Sequence, residues 1–197
     1  MTVNWQRLPG TNVPYHFLHY YVPKKHLMKA TEEELLVRET ILSYKSDFDS
    51  KKRDKAILKM ADEISVFLKR FAFGILPDRE GFVLMPIPSS NIQGFCRKGS
   101  LLVDVVSKRV GLIDGSDFPV YMFSNKPIHL SPVHKKPMQN YFLLRKKIEG
   151  KNIILLDDIV TTGNTAKLAI ELIKLAGGKT VFCLFYAKTK RFPLKTT

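Results

Sequence analysis

Thirteen residues, Ile153–Thr165 (IILLDDIVTTGNT), constrain this chain more than any other stretch of it. The four apolar residues make a strand buried on both faces, as in a parallel sheet. That strand carries the chain to the carboxyl edge of the sheet, where open α/β folds bind their ligands. Two adjacent carboxylates, Asp157 and Asp158, emerge there. Unpaired acids in such a place are costly, so they should face hydroxyl donors or a divalent cation. Thr161, Thr162, Gly163, Asn164 and Thr165 then open a helix. Free backbone N–H groups, short hydroxyls and a glycine that permits close approach make a phosphate cradle. One loop thus offers acids to a polyol and donors to a phosphate, and a sugar phosphate meets both demands.

The rest of the chain supplies a matching frame. Thr31 followed by Glu32, Glu33 and Glu34 predicts an N-cap with an acidic first turn, opening a helix that fades around Tyr44–Phe48. Ile57, Met60, Ala61, Ile64, Phe67, Leu68 and Phe71 recur at helical spacing until Gly74 and Pro77. Phe82–Ile87 reads as a buried strand, Pro88–Gly99 as a loop, Ser100–Val110 as a helix and Pro119–Phe123 as a strand. Asn152–Leu156, Asn164–Ala176 and Thr180–Ala187 read as strand, helix and strand. Such alternation predicts an open, twisted, mostly parallel α/β sheet flanked by helices. The first thirty residues read as an aromatic, irregular arm broken by Pro14 and Pro23. No linker divides the chain, so residues 1–197 read as one domain.

Charge adds a second constraint. Thirty-two Lys and Arg against 18 Asp and Glu give a formal net charge of +14. That surplus calls for an anionic partner, whether nucleic acid, phosphorylated metabolite or membrane surface. Seven basic residues face the single Glu149 within the Pro-rich segment Ser124–Lys151, which reads as a functional loop or lid. Cys96 and Cys183 are too few for a disulfide scaffold or a four-cysteine zinc ribbon. Met1–Gly10 lacks the pattern of a secretory signal, and no apolar run reaches the roughly 20 residues of a membrane helix. The expectation is a cytoplasmic protein without a membrane partner. Gly94–Ser100 (GFCRKGS) comes near a P-loop but lacks the Lys after Gly99. His16, His19 and His26 have no Cys or carboxylate pair nearby to complete a metal site, and read as part of the aromatic arm.

IILLDDIVTTGNT resembles the thirteen-residue phosphoribosyl pyrophosphate (PRPP) motif of the type I phosphoribosyltransferases: four apolar residues, two acids, two apolar residues, TTG, any residue, Thr. The resemblance implies a Rossmann-like sheet with a small hood, and transfer of ribose 5-phosphate from PRPP to a nitrogenous base or amine with release of pyrophosphate. It implies that Asp157 and Asp158 meet the ribose hydroxyls, directly or through Mg²⁺, and that Thr161, Thr162, Gly163, Asn164 and Thr165 hold the 5′-phosphate. The pyrophosphate loop of such enzymes falls at Ser89–Gly99, where Ser89, Ser90, Arg97 and Lys98 are the donors. Residues 124–151 fall where relatives carry a mobile basic loop, with Lys135, Lys136 and Arg145 as its candidates, and residues 1–50 fall where the hood is expected.

Within the superfamily, VRETILSYK (Val37–Lys45) and MPIPSS (Met85–Ser90) before Gly94–Phe95 resemble the ComF group, associated with competence. The four-cysteine zinc module with which ComF relatives commonly begin is missing, so no zinc is expected. The resemblance leaves a second function open: a ComF-like PRPP-binding regulator, or a DNA- or RNA-associated factor without transferase activity. Nucleic acid rests on charge alone, for no recognisable nucleic-acid motif is present. A homodimer is among the assemblies the resemblance allows.

Overall fold

A computed structural model describes residues 4–72, 81–87, 95–121, 142–144 and 147–192. Its frame is a six-stranded sheet in the order β1-β2-β8-β7-β3-β4, built from β1 (Gln6–Arg7), β2 (Pro14–Tyr21), β3 (Phe82–Pro86), β4 (Ile113–Asp114), β7 (Asn152–Val160) and β8 (Lys179–Thr189). All neighbours pair parallel except β1 with β2. The alternation of apolar strands with amphipathic helices therefore gives the open, mostly parallel α/β sheet that it predicts.

The helices divide between the two faces. On one face, α1 (Glu32–Lys45), α2 (Ser50–Phe67) and α3 (Phe95–Val110) pack Ile41, Met60, Ile64 and Val106 against Leu84, Ile154 and Leu156. On the other, α4 (Asn164–Leu175) lays Ala166, Ala169 and Ile173 over Ile153, Leu155, Cys183 and Phe185. Every residue of β3 is buried, as a central strand covered on both sides requires. Thr31 caps α1 as its sequence predicts: its hydroxyl accepts from the Glu34 N–H at 3.2 Å while Glu34 Oε2 accepts from the Thr31 N–H at 3.0 Å.

Three expectations change. The N-terminal arm is not irregular: its aromatic residues form β2, which pairs parallel with β8 from Tyr15↔Cys183 to Tyr21↔Thr189. Alternating aromatics and histidines are strand formers, and Pro14 and Pro23 only bound the run. Second, Pro119–Tyr121 is β5, paired antiparallel with β6 (Phe142–Leu144) in a separate two-stranded sheet. Third, α3 begins at Phe95, so it takes up part of the stretch Pro88–Gly99 read as a loop.

The histidines of the arm are engaged in packing and ion pairing. His16 stacks on Phe67 with centroids 4.6 Å apart, and His19 Nε2 lies 2.5 Å from Glu63 Oε2. Burial alone would raise the Glu63 carboxyl, but His19, with Tyr186 and Lys59 beside it, holds it below its ordinary value of 4.5. A depressed carboxyl stabilises the fold above its unfolded pKa and loses that contribution as pH falls through the folded value. Glu63→Gln should therefore flatten the loss of Tm below about pH 5, and an unchanged acid limb would show that the pair contributes nothing there.

Candidate functional site

The chain leaves β3 outward to β4 through α3, and leaves β7 outward to β8 through α4, on the opposite face. Between β3 and β7 the strand order therefore diverges, the point at which open α/β sheets form a ligand crevice outside the carboxyl ends of their strands. The two strands run in register as far as Pro86↔Leu156, and the Ile87 N–H still donates to Leu156 O at 2.8 Å. Just past that point stand Asp157 and Asp158.

These acids belong to the strand rather than to the loop after it, because β7 continues to Val160 alongside β8. Strand alternation then sends them to different faces. Asp158 follows Ile154 and Leu156 toward α1, where its Oδ2 meets Lys45 Nζ at 2.7 Å. It is 4% exposed. Asp157 is partly buried and accepts the Asp158 N–H at 2.8 Å on Oδ1. Burial, and then the Asp158 carboxylate, push the Asp157 carboxyl well above its ordinary value, with Lys45 pulling it back. Tyr44, 1% exposed, is driven up by burial and by the same two acids. Two carboxylates short of positive charge are a hard-oxygen donor set, and they fit a divalent cation such as Mg²⁺.

One turn further on, the chain makes the strand–turn–helix passage that its sequence predicts. Gly163 caps α4 in the left-handed region at φ +78, and no side chain caps the helix. Thr161, Thr162 and Asn164 are exposed, so the positive end of α4 opens to solvent. Thr162 Oγ1 accepts weakly from the Asn164 N–H at 3.5 Å, and Thr161 Oγ1 lies 2.9 Å from Thr189 Oγ1. Thr165 is partly buried in the first turn. All seven residues expected at the sugar and phosphate thus lie along one run from β7 into α4.

The second expected loop has a different standing. Ser89, Ser90, Lys135, Lys136, Arg145 and the side chain of Arg97 lie outside the described residues. Lys98 is described, and its ammonium is engaged away from solvent. It donates to Lys45 O at 2.6 Å and pairs with Asp47 Oδ1 at 2.6 Å. It fastens α3 to the end of α1, and that geometry gives no support to a place at pyrophosphate. Lys45, Tyr44 and Leu8 are residues of this neighbourhood that motif reading misses. A Lys in the last turn of a helix is what the helix dipole favours anyway, so nothing in VRETILSYK marks it out.

With this geometry in hand, comparison with known proteins decides the family. Residues 77–195 match the family model described as "Phosphoribosyl transferase domain". The chain belongs to the phosphoribosyl transferase domain family. It is 27% identical over 137 residues to a uracil phosphoribosyltransferase of Oceanobacillus iheyensis (strain DSM 14371), covering 68% of this chain and 66% of that one. It is 23% identical over 137 residues to a uracil phosphoribosyltransferase of Bacillus caldolyticus, with the same coverage. The chain thus spans 66% of the length of these relatives, a little under two thirds. A shorter likeness, 45% over 40 residues and 20% of each chain, is to "Transcriptional regulator GfcR" of Picrophilus torridus. Among solved structures, an adenine phosphoribosyltransferase of Leishmania tarentolae covers 82% of this chain and 74% of its own at 12% identity and a TM-score of 0.44. At that level no feature of it transfers to this chain. These relatives support the phosphoribosyltransferase superfamily and not the ComF group in particular. The family motif falls in the matched region; α1 and β2 lie before it. Among the described residues no helix is long and apolar enough to cross a membrane.

Proposed function

We propose that this protein binds PRPP with Mg²⁺ in the β3–β7 crevice and transfers its ribose 5-phosphate to a nitrogenous base, releasing pyrophosphate. The observation that carries the reading is the acid pair at the end of β7, followed within one turn by the uncapped, solvent-open start of α4. The ribose hydroxyls donate to Asp157 and Asp158. The 5′-phosphate accepts from the first N–H groups of α4 and from Thr161, Thr162 and Thr165. Held at both ends, the sugar keeps its anomeric carbon fixed against the acceptor, which lowers the entropic part of the barrier. The two carboxylates also lie where positive charge gathers on the ribose ring in the transition state. Mg²⁺, when bound with the diphosphate, supplies charge relief to the leaving group. Ser89, Ser90 and Arg97 are the proposed pyrophosphate donors, with Lys135, Lys136 and Arg145 of the basic segment 124–151 as further candidates to meet the diphosphate.

Of residues 1–50, β1 and β2 belong to the main sheet, so the hood's part falls to the end of α1, where Tyr44 and Lys45 stand beside the acids. That end of α1 would shape the acceptor pocket, and uracil is the first base to test because the similar chains are named for it. A free, buried Cys183 suits a reducing cytoplasm. The 40-residue likeness to a named transcriptional regulator favours one second reading, a PRPP-binding regulator, to which the +14 charge is also suited.

Melting with and without Mg²⁺ and PRPP tests the site. At about 100 times its Kd the ligand should add about 2.7 kcal/mol, or roughly 5–10 °C, to the wild type and nothing to Asp157→Asn/Asp158→Asn. An unshifted wild type would overturn the PRPP reading. A shift without pyrophosphate release across a panel of bases would select the regulator.

A further inference from the structure

The acids of the crevice already hold a cation, and it comes from outside the matched family region. We propose that Lys45 is a latch: a resident counter-ion for Asp158 that withdraws before a ribose hydroxyl or a divalent cation takes that carboxylate. The ligand named here rests on the function proposed above, whereas the latch itself is a statement about charge at Asp158.

The ion pair is asymmetric. Asp158 has a side chain 5% exposed, while that of Lys45 is 47% exposed. The carboxylate is therefore enclosed, and the ammonium that covers it reaches solvent. A buried carboxylate without a partner is costly, so the free protein gains from keeping this cation in place. The base of the latch is fixed. Lys98, itself buried, donates to the Lys45 carbonyl at 2.6 Å and pairs with Asp47, which ties the end of α1 to α3. Only the four-carbon stem is left to move. A lysine suits that motion, since its ammonium is a point charge that regains strong hydration when it swings out, and it has no planar fork to lock it down.

A consequence for specificity follows. A neutral sugar hydroxyl brings no charge to replace the ammonium, so it competes poorly for Asp158. A ligand that arrives with its own divalent cation replaces one positive charge by another. The latch thus favours a metal-carrying diphosphate ester over a plain sugar phosphate at the same pocket.

The probe is Mn²⁺ alone, followed by its electron paramagnetic resonance signal. Lys45→Met keeps the stem and removes the charge, and should bind Mn²⁺ about tenfold tighter than the wild type, since close charge pairs are coupled at least that strongly. Adding Asp158→Asn should abolish the gain, and Lys45→Arg, whose planar fork holds the carboxylate in place, should bind Mn²⁺ no tighter than the wild type. No gain in Lys45→Met, or a gain that survives Asp158→Asn, overturns the latch. In calorimetry with PRPP and Mg²⁺, Lys45→Met should bind as tightly as the wild type or tighter. Binding weakened about tenfold would place Lys45 inside the bound complex and overturn the latch as well. If the wild type binds no PRPP while the Mn²⁺ gain appears, the proposed function fails and the latch stands. Should Lys45→Met not fold, acylation of the wild type tests the same point: Lys45 should react more slowly than the exposed Lys52, and faster once Mn²⁺ is in excess. Unchanged reactivity overturns the proposal.

Discussion

Gly163→Ala should lower Tm by roughly 5–15 °C, corresponding to about 2–4 kcal/mol, and remove most of the stabilisation by PRPP. Two costs combine at this position. The backbone sits at φ +78, where a residue with a Cβ is strained. A Cβ there would also lie 2.7 Å from Leu8 Cδ2. Leu8 cannot easily retreat: it is 1% exposed and sits in a tight turn, its N–H bonded to Val13 O and its carbonyl to the Thr11 N–H. Gly150→Ala is the control, because Gly150 has φ +69 but nothing within 4 Å of the added carbon. The excess of Gly163→Ala over Gly150→Ala measures the Leu8 contact, and Leu8→Ala should recover part of it in a double-mutant cycle. Equal Tm losses at the two glycines would sink the steric part of the account.

Asp157→Asn should act in the opposite sense on the free protein, raising Tm by roughly 2–10 °C while cancelling the response to PRPP and Mg²⁺. Burial and the neighbouring Asp158 push the Asp157 carboxyl well above 3.8. A carboxyl raised in the folded state costs stability once pH passes its unfolded value, and the cost grows toward the folded one. Asparagine keeps the Oδ1 that accepts the Asp158 N–H and drops the charge, so about 1–3 kcal/mol should be regained near neutrality. The gain should fade as pH falls toward the ordinary carboxylate range, where wild type and variant carry the same charge. Asp158→Asn should gain less, because it gives up the pairing with Lys45. A lower Tm for Asp157→Asn without ligand would mean that the acid is held by partners other than those described.

The core of this site is legible in sequence because its parts are contiguous. Strand, acid pair, TTG and the start of the helix lie within thirteen residues, so each group proposed to meet the ligand is a neighbour of the next in the chain. The frame is legible for a related reason: β3, β7, α2 and α4 advertise their burial by unbroken or periodic apolar runs. What escapes reading is contact across the chain. Nothing near Lys45 says that it will meet Asp158, and nothing near Leu8 says that it will close on Gly163. The extent of β7 is missed because acids usually end a buried strand, and only pairing with β8 carries it on to Val160. β2 is missed because two prolines suggest an irregular arm, where in fact they mark the ends of an edge-side strand. Lys98 is a further case, since nothing in its sequence neighbourhood says that its ammonium will meet the Lys45 carbonyl and Asp47 at the end of α1.

The pairing of β2 with β8 also sets an order of events. Tyr15 meets Cys183, its partner from the far end of the sequence, and the β1–β2 hairpin carries the Leu8 that seats Gly163. Long-range parallel pairing is slow, because a large loop must close before any contact rewards it. As the chain leaves the ribosome, the aromatic strand Pro14–Tyr21 has only the short β1 beside it, and its β8 edge must wait until almost all of the rest has been made. Its alternating rings and histidines are then open to wrong partners, including the same strand of another nascent chain. The Leu8–Gly163 contact at the start of α4 is therefore completed last, and a chain truncated before Lys179 could build much of the helical layer without ever assembling the proposed pocket.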